Sequence, residues 1–80
     1  MNSYHIYLSS KTKTRIDIDG VAYSFTYKVK SVDLVTIYMY KYEQLILSKE
    51  LSTLDNCIKM FRGHIILDTK CFVQSVQTVA

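Results

Sequence analysis

Two cysteines and two histidines are the residues of this 80-residue chain best suited to covalent or metal chemistry, and their spacing argues against both. A thiol nucleophile needs a nearby base and a third group to orient that base. Cys57 and His64 are related as i and i+7, which would place thiol and imidazole on one face of a helix. Cys57, however, falls in the middle of an apolar stripe, where a thiol is ordinarily a small buried hydrophobe, and Gly63 should end a helix before His64 is reached. A metal centre would have to gather His5, Cys57, His64 and Cys71 without any CxxC or HxxxH spacing. Gly20 and Gly63 each fit a turn or a cap, which leaves no glycine-rich loop to cradle a phosphate. The chain therefore reads as a non-enzyme, with no catalytic residue, no cofactor and no metal.

Binding chemistry is better represented. Lys11, Lys13 and Arg15 alternate along one stretch, and Lys28 and Lys30 continue the same side of the next. Opposed lysines repel unless an anion relieves them, so this face is a candidate phosphate or acidic contact; the plain alternative is a solvated face that keeps a sheet edge from pairing. "TIYMYKY" places Tyr38, Tyr40 and Tyr42 at every second position. Exposed rings beside lysines can stack on the bases of a single strand, and tyrosine serves equally well at protein interfaces. The plain alternative here is a row of rings packed in the core.

These residues depend on the elements that carry them. The strongest local signal is "RIDIDGVAYSF", where Asp19-Gly20 between two alternating runs marks a two-residue hairpin. That turn sets Ile18 opposite Val21, Ile16 opposite Tyr23 and Thr14 opposite Phe25 on a core face. Asp17 with Ala22, Arg15 with Ser24, Lys13 with Thr26 and Lys11 with Lys28 fall on the other. Ser3 to Ser9 reads as a first strand and Leu34 to Tyr42 as a later one, with Gln44 to Leu47 continuing it or forming a short strand of its own. With a turn at Ser31-Val32, Tyr38 lies opposite Phe25 on the core side. A three-residue loop or a bulge exchanges the two faces and puts the rings among the lysines.

Leu54, Cys57, Ile58 and Phe61 then fall at i, i+3, i+4 and i+7, with Ser52 as N-cap and Gly63 at the C-terminal end, which predicts one helix over Thr53 to Arg62. His64 to Leu67 and Cys71 to Val79 read most simply as a terminal hairpin turning at Asp68-Thr69-Lys70, although Val73, Val76 and Val79 also fit a helical spacing. The expected fold is α+β: an antiparallel sheet of about five or six strands with the helix across one face, a two-layer sandwich in a single domain spanning residues 1–80.

The whole chain bounds the remaining choices. The opening MNSYHIYLSS has neither a basic start nor a long apolar run, so the reading is cytoplasmic with reduced thiols and no membrane partner. A formal charge of +3 permits nucleic acid as a partner without requiring it. Ile, Lys, Tyr, Phe, Asn and Met supply 31 of the 80 residues and Gly, Ala, Arg and Pro only six, a bias toward AT-rich codons such as many phages and mobile elements use. Size, that bias and the absence of catalytic motifs suggest a protein-binding inhibitor or adaptor that occludes a host complex, by analogy with small anti-defence proteins such as anti-CRISPRs. The contact residues would be Lys11, Lys13, Arg15, Lys28, Lys30, Tyr38, Tyr40 and Tyr42. The alternatives are single-stranded nucleic-acid binding through the same residues, and a homodimeric interaction module.

Overall fold

The structure, a computed structural model, describes residues 4–77. The chain forms strands β1 (His5–Tyr7), β2 (Thr14–Ile18), β3 (Val21–Ser31), β4 (Leu34–Lys41), β5 (Gln44–Ser52), β6 (Ile58–Phe61) and β7 (His64–Asp68), followed by helix α1 (Thr69–Gln77). All pairings are antiparallel, within a four-stranded sheet of order β2-β3-β4-β5 and a three-stranded sheet of order β1-β7-β6. The fold is thus a small, sheet-rich α+β arrangement. Its strands divide between two sheets, in place of the single sheet of a two-layer sandwich.

Asp19-Gly20 turns β2 into β3 with positive φ at both residues, and the pairs Thr14–Phe25, Ile16–Tyr23 and Ile18–Val21 form as the local sequence requires. Ile18, Tyr23 and Phe25 are buried from this side, and Val35, Ile37 and Met39 join them from β4. Leu67 and Ile65 from β7, together with Phe72 and Val73 from α1, complete the same cluster. Phe72 meets Phe25 edge-on with ring centroids 5.9 Å apart, so the helix lies over the centre of the four-stranded sheet.

The predicted helix over Thr53 to Arg62 does not form, and the physical reason is local. Ser52 Oγ accepts from the Leu54 amide and Asp55 Oδ1 from the Cys57 amide, so the residues expected to cap a helix hold tight turns instead. Leu54 is 89% exposed and Phe61 45% exposed, which leaves the supposed stripe half unburied. Gly63 is the second residue of the Arg62-Gly63 hairpin turn between β6 and β7, again with positive φ at both positions.

The helix occupies the next segment, where a strand was the simpler reading. Asp68 Oδ1 accepts the amide of Cys71 three residues on, an N-cap in place of a hairpin turn. Thr69, fully buried, donates both its amide and its hydroxyl to the carbonyl oxygen of Tyr4 and fixes the start of α1 against the strand side of the molecule. Phe72, Val73 and Val76 form its apolar face. Val79 and Ser3 lie outside the described residues.

Cys57 and Cys71 form a disulfide, with Cα atoms 5.6 Å apart, which corrects the expectation of reduced thiols. The bond joins the turn region before β6 to the first turn of α1, beside the Asp68 amide that donates to the Cys57 carbonyl oxygen. Closing a loop of this length stabilises a fold by about 3 kcal/mol, mainly by restricting the unfolded chain. In a domain this small such a contribution offsets a thin core. Among the described residues no helix is long and apolar enough to cross a membrane.

Candidate binding surface

The placement of the tyrosines is decided at the β3–β4 connection. Val32 and Asp33 form the turn without positive φ, so its twist does not match the strands it joins, and the ladder takes up the mismatch in a bulge between Val29 and Ser31. Beyond the bulge Tyr38 lies opposite Thr26, Tyr40 opposite Ser24 and Met39 opposite Phe25. Val35, Ile37 and Met39 therefore enter the core, and Tyr38 and Tyr40 share the opposite face of the sheet with Arg15 and Lys28.

Three rungs cross that face. Arg15, Ser24 and Tyr40 form one; Thr26, Tyr38 and Ser48 the second; Lys28, Thr36 and Glu50 the third. The helix and the small sheet gather on the Phe25 side, leaving this face open apart from the Ser9–Lys13 connection at one end. A concavity of about 560 Å³ runs between Ser10, Tyr38, Tyr40 and Leu45, and an adjoining one of about 350 Å³ lies between Lys30, Thr36 and Tyr38. Lys28, Val29 and Tyr38 line both. Leu45, 55% exposed, adds apolar surface at the rim.

The structure distributes the expected contact residues unevenly. Arg15, Lys28, Tyr38 and Tyr40 stand on the open face as required. Lys13 precedes β2, and its Nζ lies 4.3 Å from the centre of the Tyr40 ring. Lys11 is not opposite Lys28: the β2–β3 ladder ends at Thr14–Phe25, and the chain before it turns away, with Ser9 Oγ accepting the Lys11 and Thr12 amides. The Lys13–Thr26 pair is absent for the same reason. Tyr42 is not in the strand. It occupies the Tyr42-Glu43 turn, where both residues have positive φ, and its side chain is exposed.

Two carboxylates that sequence reasoning passed over set the charge of this surface. Glu43 holds both Arg15, at 3.2 Å, and Lys13, at 3.6 Å. Glu50 pairs with Lys30 across the far rung. Their only signal in the sequence is spacing from strand ends that no local motif marks, since a Tyr-Glu turn lacks the glycine that announces a hairpin. Of the four cations brought to the face, Lys28 alone has no carboxylate partner among the described residues.

The residues weighed for catalysis are kept apart or consumed. Cys57 is bonded to Cys71, while His64 stands on β7 with its ring against Tyr7, centroids 5.4 Å apart. His5, on β1, lies 3.6 Å from Asp68. Among the described residues no group of three or more His, Cys, Asp or Glu is placed to hold a metal ion. Comparison of the chain with protein-family models, curated proteins and solved structures finds no match.

Proposed function

We propose that the chain is a non-enzymatic binding protein that acts by covering a protein partner, and that its contact surface is the open face of the four-stranded sheet. One observation carries this reading. The bulge before Ser31 turns Tyr38 and Tyr40 outward onto a concave face whose cations are mostly already held by Glu43 and Glu50. Half-buried tyrosines with a polar rim suit a protein interface, where a rigid ring supplies area and its hydroxyl tolerates water.

A surface for phosphates would leave its cations unpaired, since neutralising successive phosphates is the source of nucleic-acid affinity. The Lys13–Tyr40 contact favours the second reading, single-stranded nucleic acid, because a cation over a ring is also found where bases stack. Inhibition of a host complex remains the specific form proposed for the protein-binding reading. The disulfide favours maturation or action in an oxidising compartment over the reducing cytoplasm first expected.

The test pairs the native chain with Tyr38→Ser/Tyr40→Ser. Affinity capture after nuclease treatment should return one stoichiometric complex with the native chain and none with the double variant. Fluorescence anisotropy with single-stranded DNA and RNA at two salt concentrations should show no saturable binding. Tight, steeply salt-dependent oligonucleotide binding would transfer the function to the second reading. Light scattering at twice the 9.3 kDa chain mass would assign the face to a homodimer.

A further inference from the structure

The open face has an internal charge order that its overall composition conceals. At one end the Arg15–Ser24–Tyr40 rung is closed electrostatically by Glu43, which holds Arg15 and Lys13 together. At the other end Glu50 holds Lys30. Between these two neutralised regions Lys28 stands with no carboxylate partner, although Glu50 occupies its own rung two strands away. Lys28 also borders both concavities of the face. The only uncompensated positive charge that β2 and β3 bring to this surface, among the described residues, thus lies where its two hollows meet.

The neighbours of Lys28 define what would satisfy it. Thr36 is directly across in the ladder, and Thr26 lies two residues earlier on the same strand and the same face, so two hydroxyl-bearing residues neighbour Lys28 on this face. Tyr38 and Leu45 line the larger hollow beside them. An ammonium with flanking hydroxyls accommodates a single carboxylate through charge-assisted hydrogen bonds, and the adjoining apolar wall takes a side chain. A run of phosphates is disfavoured, because the next anion along the face in either direction would meet Glu43 or Glu50.

We propose that the surface around Lys28 is a recognition site for an extended segment of a partner protein in which a single Asp or Glu sits beside an aromatic or branched aliphatic residue. The carboxylate pairs with Lys28 between Thr26 and Thr36, and the apolar neighbour lies against Tyr38 and Leu45. This rests on the reading of the open face as a protein contact surface and adds the chemistry of its occupant.

The probe is a displayed library of short random peptides selected on the immobilised native chain, with the recovered peptides then measured by anisotropy against variants. Enriched peptides should carry a carboxylate next to an apolar side chain. Lys28→Glu should weaken them about tenfold or more, the scale of one lost charged hydrogen bond. Lys59→Glu, which reverses an exposed cation on β6, should leave them unchanged. Changing the peptide carboxylate to lysine should recover binding to Lys28→Glu, an outcome that mere damage to the fold would not produce.

Enriched peptides without a carboxylate, peptides bound equally by Lys28→Glu, or a library that yields no binder would each overturn the inference. If Lys28→Glu has no effect while Tyr38→Ser/Tyr40→Ser abolishes binding, the acidic specificity fails and the contact surface stands. If neither variant matters, both fail. Displacement of the peptides by oligothymidylate at equal affinity would overturn the inference in favour of nucleic acid.

Discussion

Tyr38 lies directly across the β3–β4 ladder from Thr26, one residue away from a pairing with Phe25 that would have buried it. The displacement arises at the Lys30 bulge and reverses every side chain of β4, because strand residues alternate faces with period two. Met39, Ile37 and Val35 gain the core as a result.

A strong hairpin signal placed one residue earlier should fail to capture the strand. Ser31→Asn/Val32→Gly favours a primed turn whose register would bury Thr36, Tyr38 and Tyr40 and expose Val35, Ile37 and Met39. Exchanging the faces returns Val35, Ile37 and Met39 to water at about 1.5 to 3 kcal/mol each, and the side chains that replace them carry the Thr36, Tyr38 and Tyr40 hydroxyls into the core at about 1 to 3 kcal/mol for each left unpartnered, whereas a better turn contributes about 1 kcal/mol. The cross-strand nuclear Overhauser contacts of Thr26 with Tyr38 should therefore persist in the variant. Contacts of Phe25 with Tyr38 in their place would show that the turn, not the core, selects the face.

Loss of the Cys57–Cys71 bond should cost about 2 to 4 kcal/mol, a large part of the stability of a domain this size. Urea unfolding with and without reductant, or of Cys57→Ala/Cys71→Ala, measures it. Alkylation of the native protein should find no free thiol. An unfolding midpoint unmoved by reductant would show that the bond contributes nothing to the fold.

Phe61 and Phe72 should respond in opposite ways to truncation. Phe72 is fully buried against Phe25, so Phe72→Ala opens a cavity and costs about 3 to 5 kcal/mol. Phe61 is half-exposed with Arg62 over its ring, and Phe61→Ser should cost under about 1 kcal/mol. Denaturant midpoints for the two variants decide the matter. Equal losses would restore the amphipathic helix over Thr53 to Arg62.

Asp68→Ala should remove the N-cap of α1 and cost about 1 kcal/mol, while Asp68→Asn, which keeps an accepting oxygen for the Cys71 amide, should recover most of it. Hydrogen exchange in the first turn of the helix provides a local readout. Unchanged protection in Asp68→Ala would place the start of the helix elsewhere.

Turn chemistry explains where local reading succeeded in this chain. Asp19-Gly20 sets the β2–β3 register by itself, since two adjacent residues with positive φ strongly favour glycine or a short polar side chain and leave the flanking alternation no other pairing. Tyr42-Glu43 makes the same kind of turn without either residue type, and the strand β5 that follows it extends well beyond the short run its sequence suggested. The candidate surface was legible as a list, with Arg15, Lys28, Tyr38 and Tyr40 among its members. The carboxylates Glu43 and Glu50 that set its charge were not, because their partners are far away in sequence.

The sequence by itself determined the Asp19-Gly20 hairpin and the alternating character of the strands, both of which rest on residues adjacent in the chain. Only the tertiary structure decided which face of β4 is buried and which apolar stripe becomes the helix. Leu34, Tyr38 and Tyr40 compete with Val35, Ile37 and Met39, two comparably apolar sets on one strand. Thr69, Phe72, Val73 and Val76 repeat the i, i+3, i+4, i+7 spacing already present at Leu54, Cys57, Ile58 and Phe61. Local preference cannot separate such equals. Phe25 meeting Phe72, the bulge before Ser31 and the bond from Cys57 to Cys71 separate them: Val35, Ile37 and Met39 take the core side of β4, and the second stripe winds into the helix while Cys57 and Ile58 of the first are buried from a turn and a strand.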